Sequence, residues 1–166
     1  PSAAEPPLLH LKRTRQIGLR YEASTRPLHG YTDSDWATKH STSGYVFVLN
    51  QAAISWGSKK QKSVALSSCE AEIVAASEAA TEAVHLGRLA KEFQPSLDEP
   101  PELFCDNKAA TDVAYNPEHH TRMKHVERRH FFVRELVEEH RLRVPYVATD
   151  KNLADFFTKA LPARKF

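Results

Sequence analysis

The sequence is poor in the features that mark special classes of protein. Two cysteines, Cys69 and Cys105, supply neither a disulfide framework nor paired zinc-ligand spacing. Both read as reduced, buried thiols. No apolar run approaches the roughly 20 residues needed to span a bilayer, and no basic–apolar leader opens the chain. No internal repeat or low-complexity tract is present. Net charge is only +2, so charge alone is weak evidence for a nucleic-acid partner. These absences exclude a membrane span, a disulfide scaffold and a repeat array. What remains is a chain of 166 residues, 41% hydrophobic and 27% charged, long enough to bury the core of one domain. Its basic residues are clustered: Lys59, Lys60 and Lys62 in one group, Arg122, Lys124, Arg128 and Arg129 in another.

The most informative stretch is 66–79. Ser67 followed by Glu70 forms a capping box, predicting a helix that runs to about Phe93, before Pro95. On a helical wheel Glu70 shares a solvated face with Glu78, His85, Arg88 and Glu92. Glu72 lies opposite, among Ala75, Ala76, Ala79, Ala83, Leu86 and Ala90. A carboxylate inside an apolar stripe requires something cationic to face it.

Around this helix the sequence alternates strand and helix signals. Residues 1–15 read as a tail, and 17–21 alternate as a short strand. Strands are predicted over 28–36, 45–49 and 53–56, joined by short links as an antiparallel meander. Lys59–Ser63 reads as a basic loop. A strand over 102–105, a short helix over 108–115, a long helix over 122–140 and a strand over 141–148 follow. Pro145 pushes that last strand toward a sheet edge. Asp150 reads as the cap of a final helix carrying Leu153, Phe156, Phe157 and Ala160. The order predicts an α/β fold with a mixed five-stranded sheet, three antiparallel strands then parallel ones, flanked by helices. A right-handed crossover sets the strand ending at Asp106 beside the one carrying Asp33, and ligands bind at such switch points.

Four acids are therefore placed to converge: Asp33 and Asp106 at strand ends, Glu72 in the first turns of the helix, and Asp155 in the last helix. Two carboxylates at about 4 Å repel by on the order of 4 kcal/mol at an effective dielectric of 20. Divalent cations remove that cost, and oxygen-only ligands suit Mg2+ or Mn2+. Asp35, Asp112 and Asp150 read as surface or cap residues, and Trp36 and Trp56 as core aromatics. His125 and His130 are about 140° apart on a helix, which argues against a zinc site.

Seven segments, in order, carry a family resemblance: Tyr-Thr-Asp-Ser-Asp-Trp (31–36), Ser-Thr-Ser-Gly-Tyr-Val-Phe (41–47), Ile-Ser-Trp-Gly-Ser-Lys-Lys-Gln-Lys (54–62), Ala-Leu-Ser-Ser-Cys-Glu-Ala-Glu (65–72), Phe-Cys-Asp-Asn-Lys-Ala-Ala (104–110), His-Thr-Arg-Met-Lys-His-Val (120–126) and Asn-Leu-Ala-Asp-Phe-Phe-Thr-Lys (152–159). Together they resemble the ribonuclease H domain of Ty1/copia-type retrotransposon Pol polyproteins. The resemblance implies a ribonuclease H-like domain over 28–162, a short tail over 163–166, and an N-terminal piece, 1–27, similar to the end of a reverse transcriptase or connection segment. It implies hydrolysis of the RNA strand of RNA·DNA hybrids with two Mg2+ ions, Mn2+ being a substitute. A reverse transcriptase of the same polyprotein is the implied partner, with no membrane. The implied location is cytoplasmic, within virus-like particles.

Carried over by position, the family's acids fall on Asp33, Glu72, Asp106 and Asp155, both as catalytic residues and as metal ligands. Asp33 would bridge both ions, Glu72 and Asp106 would hold the one near the leaving group, and Asp155 the one that activates water. Candidate substrate contacts are Ser34, Ser67, Ser68, Asn107, Lys59, Lys60, Lys62 and His125. Cellular ribonucleases H place a histidine before the last acid, whereas this chain has Thr149-Asp150-Lys151-Asn152 there. Proton transfer is left to His119, His120, His125 or water.

Overall fold

The computed structural model describes residues 5–37, 39–96, 98–115 and 127–160. Its centre is a sheet of four strands: β1 (His29–Asp35), β2 (Thr42–Leu49), β3 (Ala52–Lys60) and β4 (Glu102–Cys105). The spatial order is β3-β2-β1-β4. β1, β2 and β3 form the antiparallel meander, and β4 joins β1 in parallel. The turn between β2 and β3 is two residues long, and both Asn50 and Gln51 have positive φ (53° and 67°). That backbone twist matches the hairpin it closes.

The α-helices among the described residues are α1 (Glu5–Thr14), α2 (Ser68–Phe93), α3 (Lys108–Tyr115), α4 (Glu127–Glu138) and α5 (Asp155–Thr158). α2 is the crossover between β3 and β4 and lies across β1 and β2. Its N-terminal half is buried nearly all the way round, including Ala71, Ile73, Ala79, Ala80 and Ala83. Small side chains let it sit close to the sheet, while Phe47 and Leu103 fill the space between, both fully buried. Val133 and Leu136 of α4 and Leu142 and Val144 complete the core.

Several sequence expectations change. The fifth strand, over 141–148, is reduced to two isolated parallel bridges, Glu102 with Arg143 and Cys105 with Tyr146. Leu103 N–H donates to Arg143 O (2.8 Å), Cys105 N–H to Pro145 O (3.1 Å) and Val147 N–H to Cys105 O (3.0 Å). The missing rung falls at Pro145, which has no N–H to give. Residues 17–21 form no strand, and α1 stands where a tail was expected. Lys59 and Lys60 belong to the end of β3 rather than to a loop. Asp150 lies in a 3-10 turn over Thr149–Lys151, and α5 starts only at Asp155. Trp36 and Trp56 are about half exposed, not core, and the Trp36 indole N–H donates to Ala65 O (3.1 Å).

Gly44 is where α5 reaches the sheet. A Cβ there would stand 2.6 Å from Thr158 Cγ2 and 2.9 Å from Phe157 Cβ. Gly44 pairs with Asp33 across β1 and β2, so the missing side chain opens the space in which α5 meets that acid. Gly44→Ala is expected to cost about 1–3 kcal/mol, the usual range for overpacking. It should push α5 outward. Denaturant midpoints measure the cost, and an unchanged midpoint would show that α5 yields freely.

Candidate active site

The sheet places the first two acids. β4 ends at Cys105, opposite Thr32, so Asp33 and Asp106 emerge at the carboxyl ends of adjacent parallel strands. Asp33 is buried and Asp106 half-buried. Where β4 stops, the Ser34 N–H is met by Glu72 Oε1 (3.3 Å) instead of a strand. Glu72 gets there because α2 begins at Ser68, only seven residues after Gln61, and Gln61 ties the sheet to the helix. Its buried amide donates to Ser43 Oγ (3.0 Å) and to Ala71 O (2.8 Å).

The last acid arrives through Asn152. Its amide donates to Thr32 O (3.0 Å), and its Oδ1 accepts from the Ala154 N–H (3.0 Å). This buried clamp holds the start of α5 against β1, next to Asp33. Asp155 is 3% exposed there. Two groups of ligand atoms result, each within 4.8 Å: Asp33, Asp106 and Asp155, and Glu72, Cys105 and Asp106. Asp106, rather than Asp33, is common to both.

Among the described residues, Lys159 is the cation that meets these acids. Its Nζ lies 3.0 Å from Asp33 Oδ1 and 2.7 Å from Asp155 Oδ1. The Thr158 hydroxyl donates to the other oxygen of Asp33. Both members of the Lys159–Asp33 pair shift upward. Burial raises Asp33 against the opposing bonds from Thr158 and Lys159. Lys159 is lifted by its bonds to Asp155 and Asp33, over the opposing effect of burial, its largest single influence. The two directions conflict for a simple ion pair, which should lower the acid. The side chain of Asp33 is 2% exposed and that of Lys159 35%, so the acid carries the larger desolvation cost. Burial also pushes the Cys105 thiol well up, with Glu72 adding to it.

Glu72 is pushed up to about 8, first by burial and then by the charges of Asp33 and Asp106, against the bonds from Ser34. Its second oxygen is buried with no hydrogen-bond partner. An acid held above its unfolded value favours the folded state fully below pH 4.5, and that contribution is lost as pH rises toward about 8. In EDTA, stability is therefore expected to fall across that window, by on the order of a few kcal/mol at about 1.4 kcal/mol per unit. Glu72→Gln should flatten the slope. Thermal midpoints at a series of pH values test this, and equal slopes for the two proteins would contradict it.

No protein-family model matches the chain. The Pol polyprotein of transposon TNT 1-94 from Nicotiana tabacum is 39% identical over 163 residues, covering 96% of this chain and 12% of the polyprotein. The N-terminal RNase H domain of a Mycobacterium tuberculosis protein superposes with a TM-score of 0.62 at 12% identity, over 80% of this chain and 90% of that one. LC11-RNase H1, solved in complex with an RNA/DNA hybrid, superposes with a TM-score of 0.59 at 14% identity, over 79% of this chain and 93% of that one.

The chain is a ribonuclease H-fold homologue of one segment of Ty1/copia-type transposon Pol polyproteins. It spans 12% of the length of that tobacco polyprotein.

Within this ribonuclease H fold, the four acids named from sequence come together at one end of the sheet. The other candidates divide. Ser34 is buried beside Asp33, and its hydroxyl, near enough to the Glu72 carboxylate to hold its pKa down, makes no well-formed hydrogen bond. Ser67 Oγ is engaged by the Glu70 N–H (3.1 Å), and Asn107 Oδ1 by the Ala110 N–H (3.1 Å), so these oxygens cap helices. Ser68, Lys59, Lys60 and Lys62 are exposed. His119, His120 and His125, with Arg122 and Lys124, lie outside the described residues. Glu70 is not solvated: it is 6% exposed, and its Oε2 accepts from the Leu66 N–H (2.7 Å). The loop before α2 folds over it, which a helical wheel does not contain. Sequence reasoning did not single out Lys159, Thr158, Asn152 and Gly44. All lie inside segments quoted for the resemblance, and the i, i+4 spacing of Asp155 and Lys159 was the available signal.

Proposed function

We propose that this domain is a metal-dependent endoribonuclease that hydrolyses the RNA strand of RNA·DNA hybrids. The observation that carries the reading is the convergence of Asp33, Glu72, Asp106 and Asp155 at the parallel strand ends, with one Glu72 oxygen buried and unpartnered. An all-carboxylate set of this kind fits Mg2+ or Mn2+. Asp33, Asp106 and Asp155 would hold one ion, and Glu72 with Asp106 a second. Such a pair of ions supplies charge stabilisation to the attacking and leaving oxygens of a phosphodiester. The protein's own contribution is positioning. Asn152 and Gly44 fix α5 on β1, and the Ser34 N–H orients Glu72. Lys59 and Lys60, exposed at the end of β3, and Lys62 just beyond it would meet phosphates and set the register of the hybrid. The Ser34 and Ser68 hydroxyls are candidates for reading the ribose 2′-hydroxyl. In-line attack of water would leave a 3′-hydroxyl and a 5′-phosphate. A reverse transcriptase of the same polyprotein would be its partner, and virus-like particles in the cytoplasm its place of action.

The test is incubation of a labelled RNA·DNA hybrid, a DNA duplex and an RNA duplex with the protein in Mg2+, Mn2+ or EDTA. Cleavage confined to the RNA of the hybrid, and lost in EDTA, is expected. Binding of the hybrid in EDTA without cleavage in either metal would make the domain a binding module instead.

A further inference from the structure

We propose that Glu72, Cys105 and Asp106 form a binding site for a thiophilic divalent cation, Zn2+ or Cd2+, which shuts the centre off. Cys105 is the last residue of β4 and is 0% exposed. Along the strand it shares a face with Leu103, in the core beside α2. One ligand atom each from Cys105, Glu72 and Asp106 lies within 4.8 Å of the others. The independent observation is the second Glu72 oxygen, which is buried without a partner on a side chain only 7% exposed.

This donor set differs from the Asp33–Asp106–Asp155 set by one atom type, sulfur. Carboxylates alone favour hard Mg2+ or Mn2+, whereas a thiolate selects Zn2+ and its softer congener. Bonds of about 2.0–2.3 Å to oxygen and sulfur bring the three ligand atoms to a common centre with small side-chain movements. On binding, the Cys105 S–H bond breaks, an S–metal bond forms, and the thiol proton, together with any held by the Glu72 carboxyl, passes to solvent. The carboxylates donate lone pairs, and nothing is oxidised or reduced. Asp106 belongs to both sets, so a thiophilic ion withdraws it from the activating cation. This inhibitory consequence rests on the proposed activity; the cation site itself does not.

The experiment titrates the full chain with Cd2+ in metal-free buffer and follows the ultraviolet cadmium–thiolate charge-transfer absorption. Zn2+ inhibition of Mg2+-supported hybrid cleavage is measured alongside, each protein compared with its own uninhibited rate. One Cd2+ per chain is expected to saturate the band. Cys69→Ala should keep the band and Cys105→Ala lose it, with Zn2+ sensitivity falling at least tenfold. No band in the native chain overturns the proposal, as does a band lost in Cys69→Ala. The Cys69→Ala arm decides the matter even where Cys105→Ala does not fold. A band without Mg2+-dependent cleavage leaves the cation site standing and removes the activity. Cleavage without a band does the reverse.

Discussion

Asp106→Asn is expected to lower cleavage of the RNA strand by more than about 100-fold. Replacing an outer-shell partner of a metal ligand already costs about 10–100-fold, and Asp106 stands in both ligand groups. Asparagine keeps the shape and removes the charge. Asp106 is half-buried and sits just beyond β4, so the sheet has no reason to reorganise. Initial rates on a labelled hybrid at saturating Mg2+, with circular dichroism to confirm the fold, measure the effect. Rates equal to those of the native chain would remove Asp106 from the proposed centre.

Lys159→Met is expected to act in the opposite direction on cation binding. The ammonium bridges Asp33 and Asp155, the two acids whose charges a divalent ion would neutralise. Any ion entering between them displaces an existing cation. Partly exposed ion pairs are worth about 0–1 kcal/mol each. Removing two of them should therefore tighten Mn2+ binding by about tenfold, equivalent to about 1.4 kcal/mol. The same substitution leaves two buried carboxylates facing one another, so metal-free stability should fall while the gain on adding Mn2+ grows. Calorimetric titration and thermal midpoints with and without Mn2+ read the two effects. An unchanged Mn2+ affinity would mean that Lys159 leaves its place without cost.

These two residues mark how far the sequence could be read. Asp106 was legible because strand order and the crossover rule place it beside Asp33. Glu72 was legible because an acid in an alanine stripe has no other explanation. Lys159 was legible only through its i, i+4 spacing to Asp155, because its other partner, Asp33, lies 126 residues away and only the fold brings them together. Glu70 was misread for a related reason. A wheel describes one helix, and the Leu66 backbone that covers this carboxylate belongs to the preceding loop. The fifth strand fails at a single rung, where Pro145 lacks a donor, and sequence reasoning foresaw the weakness of that edge but not the loss of the strand. The meander, the crossover helix and β4 needed only local pattern and were placed within a few residues.

The shortness of α5 has a consequence in time rather than in space. Four residues carry few backbone hydrogen bonds of their own, and the segment is held by Asn152 and by its fit over Gly44. Such segments open locally at free energies well below that of global unfolding. Amide exchange at 155–159 is thus expected to be faster than in β1 and β2. Each opening would carry Asp155, Thr158 and Lys159 away from Asp33 while the sheet stays folded. The domain would alternate between an assembled and a dispersed set of carboxylates without losing its architecture. Whatever binds across those carboxylates would slow that exchange, a readout of occupancy that requires no turnover.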